Sequence, residues 1–419
     1  MVGMMLYMLL GSTIVFAANQ QQIEVWGRFG SSTEWMQSTI FSKFTKETGV
    51  TVVYKDYYAN PLDAYPLIND GKGPDVIMDQ VLVFNSSKLV IPLDPLVQRW
   101  EDRRFFPQQF ALRALLNAND MMGSASTGSI VALPLSIMVY GTSYFKPYFK
   151  QAGLDAEKPP ASWEDLEIAA SKLTQEGLMG RAGYDGDWGS SMFQTFLSQN
   201  NGRLCTEDYR WSLLTSQPVL QTLQFISRLF QASRPTTNPS FIYQKYKYPL
   251  NTAMEHLISY TSLKSNSGVA NSFGVLPSKR CVTCKPAAYA DGLFNMSIVN
   301  TSNKVDLAWR FISWMLSPEV SVTINSYLWY LSPRLDATDK VAKMQPMLVE
   351  WFKMIPYASP RDYIANALSP MQKFLRYNDE TNDVYRKVLT GEIGADVVMQ
   401  QLNGDYQQGL DDYYKKLHP

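Results

Sequence analysis

The chain reads as an α/β protein built of two lobes, and three observations say so. Strand-like and helix-like stretches alternate with a short turn at each junction, the mark of βαβ units and hence of mostly parallel sheets with right-handed crossovers, flanked by helices. At 419 residues and 46% hydrophobic content, the chain is too long for one comfortable core. Finally, residues 131–145 are too apolar and β-branched for a loop, and they lead through a double proline into a capped helix at Ser162.

The elements follow in order. Residues 1–18 carry no charge, and an apolar run over 4–16 ends in Val15-Phe16-Ala17, a small-residue pattern cut after Ala17 or Ala18. This reads as a secretory signal without the Lys or Arg expected at its start, and an uncleaved membrane anchor is the alternative on length grounds. The run is short for a bilayer span. No cysteine lies beside the cleavage pattern, which favours a freely diffusing periplasmic protein.

Residues 23–26 form the first strand, followed by the turn Gly27-Arg28-Phe29-Gly30. Ser31 and Glu34 make a capping box, Met36, Ile40 and Phe44 fall on one helix face, and Gly49 ends that helix. Strands are expected at 50–54 and 76–78, the second introduced by Gly73-Pro74-Asp75. Pro92 to Leu96 marks the chain leaving the sheet. A central strand would not tolerate the missing N–H of Pro134, so the next strand is expected to start just after it. Ser162 and Asp165 cap a helix whose Leu166, Ala169, Ala170 and Leu173 share a face. A helix is expected over 217–230, strands over 273–277 and 292–299, and a helix carrying Val305, Ala308, Trp309 and Ile312 that stops at Ser317-Pro318. The peptide around His256, TAMEHLISY, reads as helical.

Composition excludes several functions. Lys+Arg and Asp+Glu both number 38, so nothing points to a nucleic acid or an anionic membrane. Cys281 and Cys284 are spaced to close a small disulfide, leaving Cys205 as a buried thiol. A thioredoxin-like redox site is the sharper reading, but the pair lies in a polar loop and opens no helix. The two histidines, His256 and His418, share no metal-ligand spacing with the cysteines. No GxSxG surrounds a serine, and the glycines of 123–128 continue with Ser129 where a phosphate loop needs lysine. A secreted glycoside hydrolase is the enzymatic competitor, since Asp75, Asp79, Asp185, Asp187 and Asp291 offer carboxyl pairs.

The stretch VALPLSIMVYGTSYFK, followed by AGLD, a double proline and SWEDLEIAASKL, resembles the middle of the family 1 extracellular solute-binding proteins, the capture subunits of ABC importers for sugars. GPDVI and PLDPL resemble that family's first-lobe motifs, and NKVDLAWRFISWMLSPEVS and YLSPRLDA its downstream helix and the stretch after it. The resemblance covers nearly the whole mature chain in order. It implies the type II periplasmic-binding-protein fold, two discontinuous α/β lobes joined by two or three crossing segments with the ligand in the cleft between them. By that analogy lobe one is roughly 19–135 plus 290–325 and lobe two 136–289 plus 326–419, with the hinge near 136–139, 289–293 and 324–328. It also implies a monomer that performs no covalent chemistry, needs no cofactor or metal, and delivers a carbohydrate to the transmembrane subunits of an ABC permease. A polyol, glycerol phosphate, polyamine or metal chelate is the alternative ligand.

Sugar rings need apolar platforms for their C–H faces and aimed polar groups for their hydroxyl rims. Open α/β sheets place such sites beyond the carboxyl ends of their strands. That rule selects Arg28 and Phe29 after the first strand, and Asp79 and Gln80 after the third. Ser136 and Met138 lie in the expected crossing strand, Met138 departing from the polar residue of malto-oligosaccharide binders. Tyr184, Asp187 and Trp188 belong to a Gly-rich loop. Tyr289, Asp291 and Gly292 occupy the family's Gly-rich crossing motif, and Trp329 and Tyr330 precede a loop that often faces the cleft. Trp35, Trp163, Trp309 and Trp314 sit in amphipathic helices and are assigned to the core.

Overall fold

The computed structural model describes residues 21–56, 64–79, 89–106, 111–114, 129–176, 180–186, 188–234, 252–257, 272–276, 279–344, 348–360, 369–375 and 383–417. The proposed signal segment and the glycines of 123–128 lie outside them. Strands β1 (Gln22–Gly27), β2 (Thr51–Asp56) and β3 (Val76–Asp79) pair in parallel, as the βαβ pattern requires. Two long strands then cross the molecule. These are β5 (Ser129–Phe145) and β8 (Ala288–Ile298), antiparallel to each other, with β8 also antiparallel to β3. The path of the sheet is β2-β1-β3-β8-β5-β4, where β4 is Leu112–Ala114. Strands β6 (Met254–Leu257) and β7 (Phe273–Val275) join the far end of β5, and β9 (Ala358–Pro360) joins β8.

Burial divides these elements between two large cores. The first gathers Ile23, Val25, Met36, Ile40, Phe44, Val76 and Met78 with Met296, Ile298, Phe311 and Ile312, so it combines the beginning of the chain with a late segment. The second gathers Tyr144, Trp163, Leu166, Phe193, Phe225 and Met254 with Tyr385, Met399 and Tyr406. Strand β5 serves both, since Tyr140 packs in the first core and Tyr144 in the second. A third, smaller core lies against Ile137, Val139, Ala288 and Ala290 and is capped by Trp351 and Phe352.

Several expectations hold in detail. Ser162 Oγ accepts from the Asp165 N–H at 3.1 Å and caps the helix Trp163–Leu173, while Gly49 closes its helix in the left-handed region at φ 75°. Cys281 and Cys284 are disulfide-bonded and Cys205 is a buried thiol. Trp163 is buried, whereas Trp35, Trp309 and Trp314 lie half-buried on the first core.

Other expectations are corrected. Strand β5 starts at Ser129 and runs through Pro134, which lies opposite Asn295; the ladder skips Leu135 and resumes in the same register at Ser136. Ser31 forms no capping box; the helix is entered through the 3-10 turn Gly30–Ser32, so its first donors are met by backbone instead. His256 lies in a strand. Thr142 of β5 pairs with it on one side, and the backbone of Ala182 and Asp185 bonds to Ala253, Met254 and His256 on the other, so tertiary pairing overrides the local helical pattern. Strand β8 starts four residues earlier than its glycine suggested, placing Tyr289, Asp291 and Gly292 inside a strand.

Tyr144 makes the fold sensitive to alkali. Its buried hydroxyl donates to the Ala156 carbonyl at 2.8 Å, and burial, with Glu157 and Asp155 nearby, pushes the phenol up to about 12. Burial raises Tyr54 and Tyr330 in the same sense. Between about pH 10 and 12 the unfolded chain loses the Tyr144 proton while the folded chain keeps it, so stability falls as pH rises through that window. Urea unfolding across that range should show a steeper loss for wild type than for Tyr144→Phe; equal slopes would refute the assignment.

Candidate functional site

The register of the crossing strands does most of the assembly. Met138 lies opposite Asp291, Ser136 opposite Leu293, Ile137 opposite Gly292 and Tyr140 opposite Tyr289, so five of the residues singled out in sequence, Ser136, Met138, Tyr289, Asp291 and Gly292, occupy neighbouring rungs. Ser136 and Asp291 are buried polar groups in this ladder. The Tyr140 hydroxyl donates to Asp291 Oδ2 at 3.3 Å, and its ring lies 4.9 Å from Tyr289. On its other side the ring runs nearly parallel to His256 at 6.1 Å, and His256 Nε2 is 3.1 Å from Thr195 Oγ1 on the helix Ser190–Gln199. Two rungs along, the hydroxyls of Thr142 and Tyr184 meet at 3.1 Å. Polar and ring contacts thus join the strands of the first core to the elements of the second.

An aromatic group adjoins this polar row. Phe29, just beyond the carboxyl end of β1, lies 5.0 Å from Phe294 and 5.8 Å from Tyr54, and Phe294 lies 6.0 Å from Tyr330. Phe294 sits in the left-handed region at φ 51°, a costly conformation for an aromatic residue inside a strand. The strand opposite turns over at the same place. Leu133 and Leu135 face the first core, whereas Ile137 and Val139, of the same parity, face the third. Gly292 permits this close crossing, because a Cβ there would meet Pro134 Cβ at 2.9 Å. Within it, Ser136 Oγ and Asn295 Oδ1 are buried and have no hydrogen-bond partner among the described residues.

The remaining candidates are distributed differently. Arg28 is exposed beside Phe29. Asp79 ends β3 opposite Asn295, while Gln80 and Asp187 lie outside the described residues. Tyr184 and Trp188 are wholly buried in the second core. Trp188 packs edge-on to Phe230 at 4.9 Å, and its Nε1–H donates to Asp185 at 2.7 Å. Trp329 ends the helix Pro318–Leu328 in the left-handed region and packs against the third core; Tyr330 touches the first and third cores together.

Two carboxylates of the hydrolase alternative are engaged in holding the fold. Asp75 accepts from the Glu24 N–H at 2.9 Å and the Ser302 hydroxyl at 2.6 Å, and Asp185 is paired with Arg234 at 2.7 Å. Sequence reasoning missed Tyr140, His256, Phe294 and Tyr54. Tyr140 was within reach, since it follows Met138 by two on the same strand. No local signal marks the backbone of Phe294.

The model of the bacterial extracellular solute-binding proteins matches residues 29–322. The chain belongs to this family. As a solute-binding protein it has the two-lobe fold of several solved structures. They include the sugar-binding protein MalE from Xanthomonas citri, with TM-score 0.73 and 15% identity over 94% of this chain and 98% of that one. The GacH receptor of Streptomyces glaucescens gives 0.67 and 19% over 94% and 99%. An ABC transporter solute-binding protein from Thermotoga lettingae, bound with alpha-D-tagatose, gives 0.68 and 18% over 93% and 100%. Among curated sequences, the sn-glycerol-3-phosphate-binding periplasmic protein of Shigella dysenteriae is 35% identical over 77 residues, and that of Escherichia coli K12 is 38% identical over 64. These matches span only 17% and 14% of the relatives' own lengths and 18% and 15% of this chain. The family places this solute-binding protein outside the cytoplasm, and among the described residues no helix is long and apolar enough to cross a membrane.

Proposed function

We propose that this protein binds a carbohydrate between its lobes, closes around it by hinge bending, and delivers it to an ABC permease without altering it. The carrying observation is the junction of an aromatic group, Phe29, Phe294 and Tyr330, with a buried polar row, Ser136, Asp291 and Tyr140, on the strands shared by both cores. Aromatic faces suit the C–H side of a sugar ring, and a carboxylate suits its hydroxyls. The sugars in the names of its structural neighbours support the same reading. Most of these residues are buried in this conformation, so entry requires the lobes to part. The lobes are taken as roughly 19–135 plus 290–325 and 136–289 plus 326–419. The division of Tyr140 and Tyr144 between the cores supports a first crossing slightly beyond the 136–139 expected from sequence, near Gly141. Export with cleavage after Ala17 or Ala18, and a monomeric state, complete the proposal.

Glycerol phosphate is the second reading, favoured by the short curated matches. A phosphate wants a cluster of cations, and of the residues assembled here only Arg28 carries a permanent positive charge. A thermal-shift panel of mono- and oligosaccharides with glycerol 3-phosphate decides between them, since ligand at 100 times its Kd adds about 2.7 kcal/mol of stability. Stabilisation by glycerol 3-phosphate alone would overturn the sugar reading.

With the responding sugar, Asp291→Asn should weaken binding by about 1.5–3 kcal/mol, the worth of a hydrogen bond to a charged group, roughly 10- to 150-fold in Kd. The fold should be retained. Calorimetric titration giving the wild-type Kd would remove Asp291 from the site.

A further inference from the structure

We infer that the Cys281–Cys284 bond is a thiol–disulfide exchange site built into the loop that leads into the second crossing between the lobes, where its state sets the freedom of the hinge. Leu276 belongs to the second core and its N–H donates to Thr142 of β5 at 2.8 Å. Ala288 belongs to the third core and Tyr289 to the first. The chain therefore leaves the second core after Leu276 and enters the crossing strand β8 at Ala288, and the disulfide lies between those points, on the approach to the crossing.

The loop is tied at one point to the second lobe. The Arg280 carbonyl accepts from the Trp163 N–H at 3.0 Å, at the capped start of the helix Trp163–Leu173. The Arg280 guanidinium lies 5.6 Å from the Trp163 ring and donates to Gln221 at 3.2 Å. Beyond this anchor, the Cys284 N–H donates to the Cys281 carbonyl at 3.0 Å, and the disulfide staples the same turn. The staple removes rotational freedom from the stretch that leads into the crossing strand.

The same bond is open to attack. Val282 between the cysteines is 65% exposed, Thr283 is exposed, and Lys279, Arg280 and Lys285 flank the pair. Cations stabilise a departing thiolate, and exchange requires access to sulfur. The reagent class is a dithiol. Its thiolate attacks one Sγ, the S–S bond breaks, and the other cysteine leaves as thiolate. The second thiol of the reagent then attacks the mixed disulfide and frees the first cysteine. Two electrons pass to the protein, which gains two thiols, and the reagent becomes a disulfide. Cys205, buried in the second core, takes no part.

The inference rests on the proposed hinge mechanism for its consequence, but its test needs no sugar. The full folded protein is treated with millimolar dithiothreitol, alkylated and mapped, and amide hydrogen exchange is followed at Trp163. Cys281 and Cys284 should be alkylated while Cys205 is spared. Exchange at Trp163 should quicken by roughly five-fold or more, the lower end of coupling between linked sites. The Cys281→Ser/Cys284→Ser double variant should show the same increase without reductant. A bond that resists reduction short of unfolding would overturn the exchange site. Full reduction with unchanged Trp163 exchange, in both the treated protein and the double variant, would overturn its hold on the hinge. Failure of the sugar panel would leave both measurements intact, so the two conclusions fall separately.

Discussion

Replacing Trp188 with alanine is expected to destabilise the protein by about 3–5 kcal/mol, the cost of emptying a large buried aromatic site. The indole is wholly buried, with Tyr184 at 5.8 Å and Phe230 at 4.9 Å. Its loss also opens the surroundings of the Asp185–Arg234 pair, since Asp185 accepts from both Trp188 and Arg234 at 2.7 Å. Whatever fraction stays folded should bind sugar with an affinity close to wild type. The opposite pattern, an unchanged melting temperature with lost affinity, would restore Trp188 to the binding surface where its Gly-rich flanks placed it.

Arg334→Met should have a comparable effect for a different reason. The guanidinium is buried almost completely and is gripped by Asp336 at 2.9 and 2.7 Å, by Asp102 at 2.7 Å and by the Leu316 carbonyl at 2.9 Å. Breaking such a network by removing one partner costs about 3–5 kcal/mol. Arg334→Lys should recover little, because an ammonium cannot match the two-pronged contact with Asp336. Urea midpoints for the two variants check this; a shift of less than about 1 kcal/mol, the worth of an exposed ion pair, would mean that water already screens the cluster.

Much of the first lobe was legible because its signals are local. The apolar spacing of Met36, Ile40 and Phe44, the stop at Gly49, and the strands on either side are all read from neighbours in sequence, and all are present. The cap of Ser162 on Asp165 is equally local. The positions of the candidate site were legible in outline for the same reason: Phe29 follows a recognisable strand, and Asp291 lies in a recognisable crossing. What escaped depends on distant partners. Trp188 is drawn inward by an ion pair whose cation, Arg234, is far along the chain. His256 is held extended by β5 and by Asp185, neither of which its own peptide foretells. Pro134 passes through a central strand because its rung meets Asn295 in a register that only the folded sheet defines.

The pairing of β3 with β8 also governs how the molecule can be made. On the side away from β1, Val76 finds its neighbour at Ile298, so this part of the sheet cannot close until the long intervening chain has been laid down. Contacts of such long range must overcome loop-closure entropy before they return any stability, which makes folding slow. A newly synthesised chain therefore spends its early life with β1, β2 and β3 unsealed along one edge, available to a chaperone or a translocation channel. The late arrival of β8 sets the moment at which that state ends.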